Sequence, residues 1–339
     1  MAKKKVLIIY AGGTIGMKHE HGSHTLKPVD FKNIMDQIPE LRGLNCSIDY
    51  KSARKAIDSS NVNPDDWEEL ANIIEKAYTR YDGFIILHGT DTMAYTASAL
   101  SFMLNNLGKP VILTGSQLPL GVIRTDAKRN LITTIEIAAG NRIVPEVCIY
   151  FNSQLFRGNR AEKYTSSKFD AFQSLNFPLL AEAGVTIDYN EKVIRKPKRK
   201  KLLVARGFDK NIVLVKLFPG IQPDVIRFIA SRKNLKAIVL ETFGSGNAPT
   251  DKAFIDSLRD AIARDLVVLN ISQCSGGTVD QGKYETSVML KKIGVISGGD
   301  MTTEAAITKM MFLVEKGYSR NKLKKLLEDN LAGERSVDL

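Results

Sequence analysis

Short apolar runs, each closed by a polar, glycine-bearing turn and followed by residues of helical period, recur along this chain. The plainest spans residues 82–96, DGFIILHGTDTMAYT, in which the four apolar residues 84–87 lead into His88-Gly89-Thr90-Asp91-Thr92. A run of that length between turn residues reads as a strand buried on both faces, and the period that follows reads as a crossover helix. The same unit appears at residues 6–10 before Ala11-Gly12-Gly13-Thr14-Ile15-Gly16, and at residues 110–114 before Gly115-Ser116-Gln117 with a helix over 125–139. A strand ending at Ile57 precedes Asp58-Ser59-Ser60-Asn61, and Asn63-Pro64 with two acids behind it starts a helix to about Tyr78. With residues 147–151 as a fifth strand, the pattern predicts a doubly wound, mainly parallel α/β sheet.

After the basic run RKPKRKK at residues 195–201, the pattern resumes on a smaller scale. Strands are expected over 212–217, 237–241 and 266–271, and helices over 223–232, 250–264 and 302–315, with the turn Gly244-Ser245-Gly246-Asn247 after the second strand. The expected organisation is a larger N-terminal catalytic α/β domain over 1–194, a linker over 195–211 and a smaller C-terminal parallel α/β domain over 212–339.

Composition narrows the function classes. The 339 residues are 44% hydrophobic and 25% charged, ordinary for a globular protein, with 48 basic against 37 acidic residues for a net charge of +11. Such a charge admits nucleic acid, anionic metabolites or a basic cytoplasm. The basic run has no interleaved aromatics and no helix to carry it, so a nucleic-acid partner is not expected. No apolar run reaches membrane-spanning length, and the apolar residues 6–11 are too few for a signal peptide and lead into Gly-Gly. Cys46, Cys148 and Cys274 are widely spaced with no C-x-x-C, the pattern of a reduced, cytoplasmic protein.

The turns hold the candidate chemistry. Ligands of open α/β sheets bind at the carboxyl ends of the strands, and there Thr14, Thr90 and Ser116 stand at one edge, with Asp91 beside them. Asp58, Ser59 and Ser60 form a further polar turn, whose small hydroxyls and backbone N–H groups suit a carboxylate. Neither the G-x-G-x-x-G spacing nor the G-K-[ST] ending of a phosphate loop is present, and no cofactor is expected. His19, His21 and His24, with Glu20, occupy the polar stretch 18–27 without a helical ligand pair, so a lid loop is expected there rather than a metal site. Residues 152–165 bring Arg157, Arg160 and Lys163. A lysine set beside Thr90 and Asp91 and under the potential of the two arginines would act as a base.

Together the A-G-G-T-I-G and H-G-T-D-T-M motifs resemble the bacterial-type L-asparaginases, and the D-S-S-N, T-G-S-Q and G-x-G-N-A-P turns point to the cytoplasmic, type I branch. The resemblance covers essentially the whole chain. It implies hydrolysis of L-asparagine to L-aspartate and ammonia without cofactor or metal, with Thr14 as nucleophile and a relay of Thr90, Lys163 and Asp91. It further implies that the turn of Asp58, Ser59 and Ser60 grips the α-carboxylate, Asp91 the α-ammonium, and Ser116 the side-chain amide. Backbone N–H groups around Gly13 and Gly89 would meet the oxyanion. Asn247 would be lent by a neighbouring subunit, making the protein a homodimer or homotetramer. One departure is that the loop after Thr14 lacks the family's tyrosine, leaving His24, Ser23 or a water to take its role. Two rivals remain: an amidase acting on aminoacyl-tRNA, whose family members carry an added N-terminal domain where this first strand begins by Val6, and a non-catalytic nucleotide-binding module.

Overall fold

Apolar runs that alternate sides of a strand yet are apolar throughout must be covered on both faces, which favours parallel strands with helical crossovers. The computed structural model describes residues 3–19, 26–28, 38–198, 200–282 and 285–336. They divide into two compact units, 1–206 and 207–339.

In the first unit the chain runs β1 (Lys4–Gly12), β2 (Met17–His19), β3 (Leu26–Pro28), β4 (Cys46–Ile57), α1 (Pro64–Ala77), β5 (Gly83–Leu87), α2 (Met93–Met103), β6 (Leu104–Asn105), β7 (Val111–Thr114) and α3 (Ala127–Ala139). It continues through β8 (Val147–Phe151), β9 (Gln154–Arg157), β10 (Glu162–Lys163), β11 (Phe172–Gln173), β12 (Ala181–Ala183), β13 (Ile187–Tyr189) and β14 (Leu203–Val204). An eight-stranded sheet has the order β13-β12-β9-β8-β7-β5-β1-β4. Strands β4, β1, β5, β7 and β8 are parallel, as the recurring strand-turn-helix pattern predicts. β9, β12 and β13 extend the sheet antiparallel. The reversal comes at Asn152 and Ser153, whose φ values of 45° and 68° make the two-residue turn that suits a twisted hairpin.

Side chains alternate across the sheet. Val6, Ile8, Ile85 and Ile112 join Leu131, Ile135 and Ala138 of α3 in one core cluster. Leu7, Ile9, Phe84, Ile86 and Leu113 face the other way and are equally buried. Helix α1 starts as the Asn63-Pro64 signal predicts: Asn63 Oδ1 accepts from Asp65 N at 2.9 Å and Asp66 Oδ2 from Asn63 N at 2.8 Å.

The second unit has β15 (Ile212–Lys216), α4 (Pro223–Ala230), β16 (Ala237–Thr242), α5 (Lys252–Ala263), β17 (Val267–Ser272), α6 (Glu285–Lys292), β18 (Ile296–Ser297), α7 (Thr303–Val314) and α8 (Arg320–Glu328). Its four strands pair in chain order, all parallel. β18, α6 and α8 have no counterpart in the sequence expectation.

What matters for a site is the order β8-β7-β5-β1-β4. The chain passes from β1 to β4 on one side and then to β5 on the other, so β1 is the topological switch point, where a ligand crevice forms beyond the strand ends. Tyr10 pairs with Leu87 and Leu87 with Thr114, so these strands end level and their turns emerge together.

Candidate active site

Close approach of the turns depends on glycine. At Gly13, φ is 92° and a Cβ would lie 2.4 Å from Gly89 N, while a Cβ at Gly89 would lie 2.5 Å from Ser59 Oγ. Only residues without side chains let the turns after β1, β4 and β5 touch, and they bring Thr14, Ser59 and Thr90 to one edge. Thr14 opens a single 3-10 turn, with Gly16 N donating to Gly13 O at 3.2 Å. Tyr10 braces it from below, its hydroxyl donating to Gly16 O at 3.3 Å. Burial pushes the Tyr10 phenol up to about 12.

Lys163, on β10, donates to Thr90 Oγ1 at 2.7 Å and to Asp91 Oδ1 at 2.6 Å. Its side chain is 14% exposed and that of Asp91 is 65% exposed, so the pair sits at the rim of the protein, half in water. Thr90 is buried, and its hydroxyl also lies 3.4 Å from Gln117 Oε1. Among the described residues, the N–H groups of Gly89 and Thr90 donate to no protein acceptor, and no described side chain hydrogen-bonds Thr14 Oγ1. Backbone donors without partners are uncommon in a folded interior, and at a strand end they mark a place for an anion.

The remaining expected residues divide into those the protein has spent and those it has left available. Ser59 is buried, its carbonyl accepting from Thr92 Oγ1 at 2.7 Å, with its hydroxyl against Gly89. Ser60 gives both its N–H and its hydroxyl to Asp58 Oδ1, each at 3.0 Å. Ser116 is buried with its hydroxyl on Leu118 O at 2.6 Å, so the side chain of this turn that reaches Thr90 is Gln117. Asp126, which the sequence reading passed over, holds that turn by accepting from Gln117 N and Leu118 N, each at about 3 Å. Asn247 belongs to the second unit, in a turn closed by Asn247 N on Phe243 O at 2.8 Å. The turn is tied to β17 by Asn270 Nδ2, which donates to Gly246 O at 3.1 Å.

Arg157 and Arg160 each have partners of their own. Arg157 is buried against Glu146, with Nε and Nη2 at 2.6 and 3.2 Å from its two oxygens, and Arg160 is buried with Nη2 on Asn176 O at 2.8 Å. The charge of Arg157 is paired with that of Glu146, and Arg160 is bonded to backbone. His21, Ser23 and His24 lie outside the described residues. Among the described residues, no group of three His, Cys, Asp or Glu could hold a metal ion, and no helix is long and apolar enough to cross a membrane.

Residues 5–195 match the family described as asparaginase, N-terminal, and residues 211–327 match the glutaminase/asparaginase C-terminal domain. L-asparaginase 1 of Escherichia coli is 42% identical over 339 residues, covering 100% of both chains. The crystal structure of L-asparaginase I from Vibrio cholerae is similar with a TM-score of 0.91 at 40% identity, covering 99% of this chain and 100% of that one. The thermostable L-asparaginase from Thermococcus kodakarensis gives a TM-score of 0.91 at 33% identity, covering 98% and 100%.

Proposed function

The chain belongs to the asparaginase family through both of its domains, and from that we propose that it hydrolyses L-asparagine to L-aspartate and ammonia with a threonine nucleophile. The observation that carries the reading is Lys163 Nζ set between Thr90 Oγ1 and Asp91 Oδ1, beside backbone donors with no partner among the described residues. Thr14 attacks the side-chain amide carbon and its proton goes to the departing ammonia. Water then attacks the acyl-threonine ester, giving up a proton through Thr90 to Lys163, with Asp91 stabilising the ammonium that forms; that ammonium returns the proton to the Thr14 oxygen as the ester bond breaks, so aspartate leaves and the threonine hydroxyl is restored. Gly89 N–H and Thr90 N–H meet the oxyanion in both steps, each donor worth about 3 kcal/mol in the transition state.

Binding a free amino acid needs a grip at both ionic ends. Asp91 has an exposed second oxygen for the α-ammonium, and the Asp58-Ser59-Ser60 turn lies against Gly89 for the α-carboxylate. Ser116 supports the amide subsite from below, through the turn that presents Gln117. Asn247 completes the site from a neighbouring subunit in a cytoplasmic homodimer or homotetramer. The end-to-end likeness to L-asparaginase 1 favours free asparagine over an aminoacyl-tRNA.

The test is ammonia release from asparagine and glutamine by wild type, Thr14→Ala and Thr90→Val. Both variants fold with unchanged circular dichroism and lose at least about 10³-fold in kcat. A Thr14→Ala protein that keeps its rate removes the nucleophile assignment.

A further inference from the structure

One histidine lies directly under the site and has no part in the chemistry above. His88 is buried between β5 and α2, with Nδ1 2.7 Å from Gly89 O and Nε2 2.9 Å from Thr96 Oγ1, while Trp67 Nε1 lies 3.1 Å from the same Thr96 oxygen. All three side chains are buried. An indole N–H can only donate, so Thr96 Oγ1 accepts from Trp67 and is free to give its own proton to His88 Nε2. Nδ1 must then carry the ring proton, since a bare Nδ1 would set two lone pairs against each other at 2.7 Å. Burial keeps the ring neutral by holding its pKa below the ordinary histidine value, against the pull of the Gly89 carbonyl and of Asp66. The chain of donors therefore runs one way, from Trp67 through Thr96 and His88 to the carbonyl of Gly89.

That carbonyl shares a planar trans peptide with Thr90 N–H, and in such a peptide the two point in opposite directions. We propose that His88, oriented by Thr96 and Trp67, is a positioning residue that pins the Gly89 carbonyl inward and so aims the Thr90 N–H at the oxyanion. The inference deepens the asparaginase reading and rests on it. A donor to an oxyanion is effective only when it is already aligned before charge develops, and a peptide flanked by glycine is free to rotate unless something holds it. No other described hydrogen bond reaches the Gly89 carbonyl.

Three substitutions separate this role from mere packing. The side-chain amide of asparagine places an N–H near the position of Nδ1, that of glutamine near Nε2, and leucine offers neither. His88→Asn keeps kcat within about threefold, whereas His88→Gln and His88→Leu lower it about tenfold at a KM within about twofold of wild type, the signature of an interaction made in the transition state. Binding of the product aspartate is unchanged in all three. In ¹⁵N spectra of wild type at neutral pH, the buried ring shows a protonated Nδ1 and an unprotonated Nε2. Should the leucine variant not fold, Thr96→Ser and Thr96→Val give the same contrast, with the hydroxyl-bearing variant retaining kcat and the other losing it severalfold. Equal kcat across the variants, a loss confined to KM, or a ring protonated at Nε2 overturns the assignment. A wild type that releases no ammonia defeats the asparaginase reading itself and the inference with it, and an active wild type with flat kcat defeats the inference alone.

Discussion

Lys163 and Lys309 each meet a carboxylate at nearly the same distance, 2.6 Å to Asp91 Oδ1 and 2.7 Å to Glu334 Oε1. Their surroundings give the two bonds opposite meanings. Lys309, on α7, is fully buried with Glu334 and donates also to Leu327 O at 2.9 Å and Asp329 O at 2.6 Å, so all three ammonium protons are committed. Glu334 accepts from Leu331 N and Ala332 N as well, and no proton has anywhere to go. Lys163 places two protons, one of them on a hydroxyl, and its carboxylate is mostly in water. Ion-pair distance is therefore uninformative about role. What separates a staple from a reactive group is whether the ammonium is saturated and whether one of its partners can itself take part in proton transfer.

The comparison breaks most visibly at Lys163. Replacing it by methionine removes the group that receives the proton from Thr90, and kcat falls by about 10³-fold, within the range of acid–base contributions. Because Asp91 is left solvated, the unfolding free energy changes by less than about 1 kcal/mol. At Lys309 the pattern inverts. Lys309→Met leaves Glu334 buried without its counter-charge, and urea unfolding shows a loss of about 3–5 kcal/mol, while kcat per folded molecule stays within about twofold. Adding Glu334→Gln recovers part of that loss. A Lys309 variant that unfolds as wild type but loses its rate would reverse the assignment of the two lysines.

Acid sharpens the same contrast by a smaller amount. Burial opposes the charged form of Glu334, but Lys309 and the N–H groups of Leu331 and Ala332 outweigh it and hold the carboxyl below the ordinary glutamate value. A carboxyl with a lowered folded pKa contributes stability that is present above its unfolded pKa and is lost as pH falls through the folded one. Wild type thus loses stability progressively below about pH 4.3, and Glu334→Gln flattens that branch.

The strands and turns of the first unit were legible because buried parallel strands are written as uninterrupted apolar runs, and Phe84 to Leu87 can be little else. Thr14, Thr90 and Asp91 were legible as turn residues at strand ends. The strand-end rule put them at one sheet edge, but the contact that brings their turns together, Gly13 against Gly89, joins residues far apart in sequence, and their separate roles came only through a family resemblance. The hairpin at Asn152 and Ser153 went unread because its signal is a pair of left-handed residues rather than a glycine. The partner of Arg157 was not legible because Glu146 stands before the strand that separates them. Ser116 and Gln117 show the limit of turn chemistry: both are polar, and only the folded turn decides which one is consumed by Leu118 O and which one reaches Thr90. Lys309 gave no sign at all, since the period of α7 makes it one more helical lysine.

The smallest effect lies under Thr14. Tyr10 donates to Gly16 O across 3.3 Å, long for a hydroxyl, and fills the space that a side chain at Gly16 would need. Tyr10→Phe keeps the ring and removes the hydroxyl's bond to Gly16 O, so the packed ring holds the turn closed and kcat falls by no more than about threefold. The phenol reports its burial in another way. Its folded pKa of about 12 lies above the unfolded value, so its contribution is fully present below the unfolded pKa and disappears as pH rises through the folded one. Ultraviolet titration of the native protein shows one phenolate appearing near 12 that is missing from Tyr10→Phe. If instead the substitution costs as much as Thr14→Ala, the brace beneath the turn belongs with Lys163 among the groups that carry the reaction, and saturation by backbone no longer marks a residue as structural.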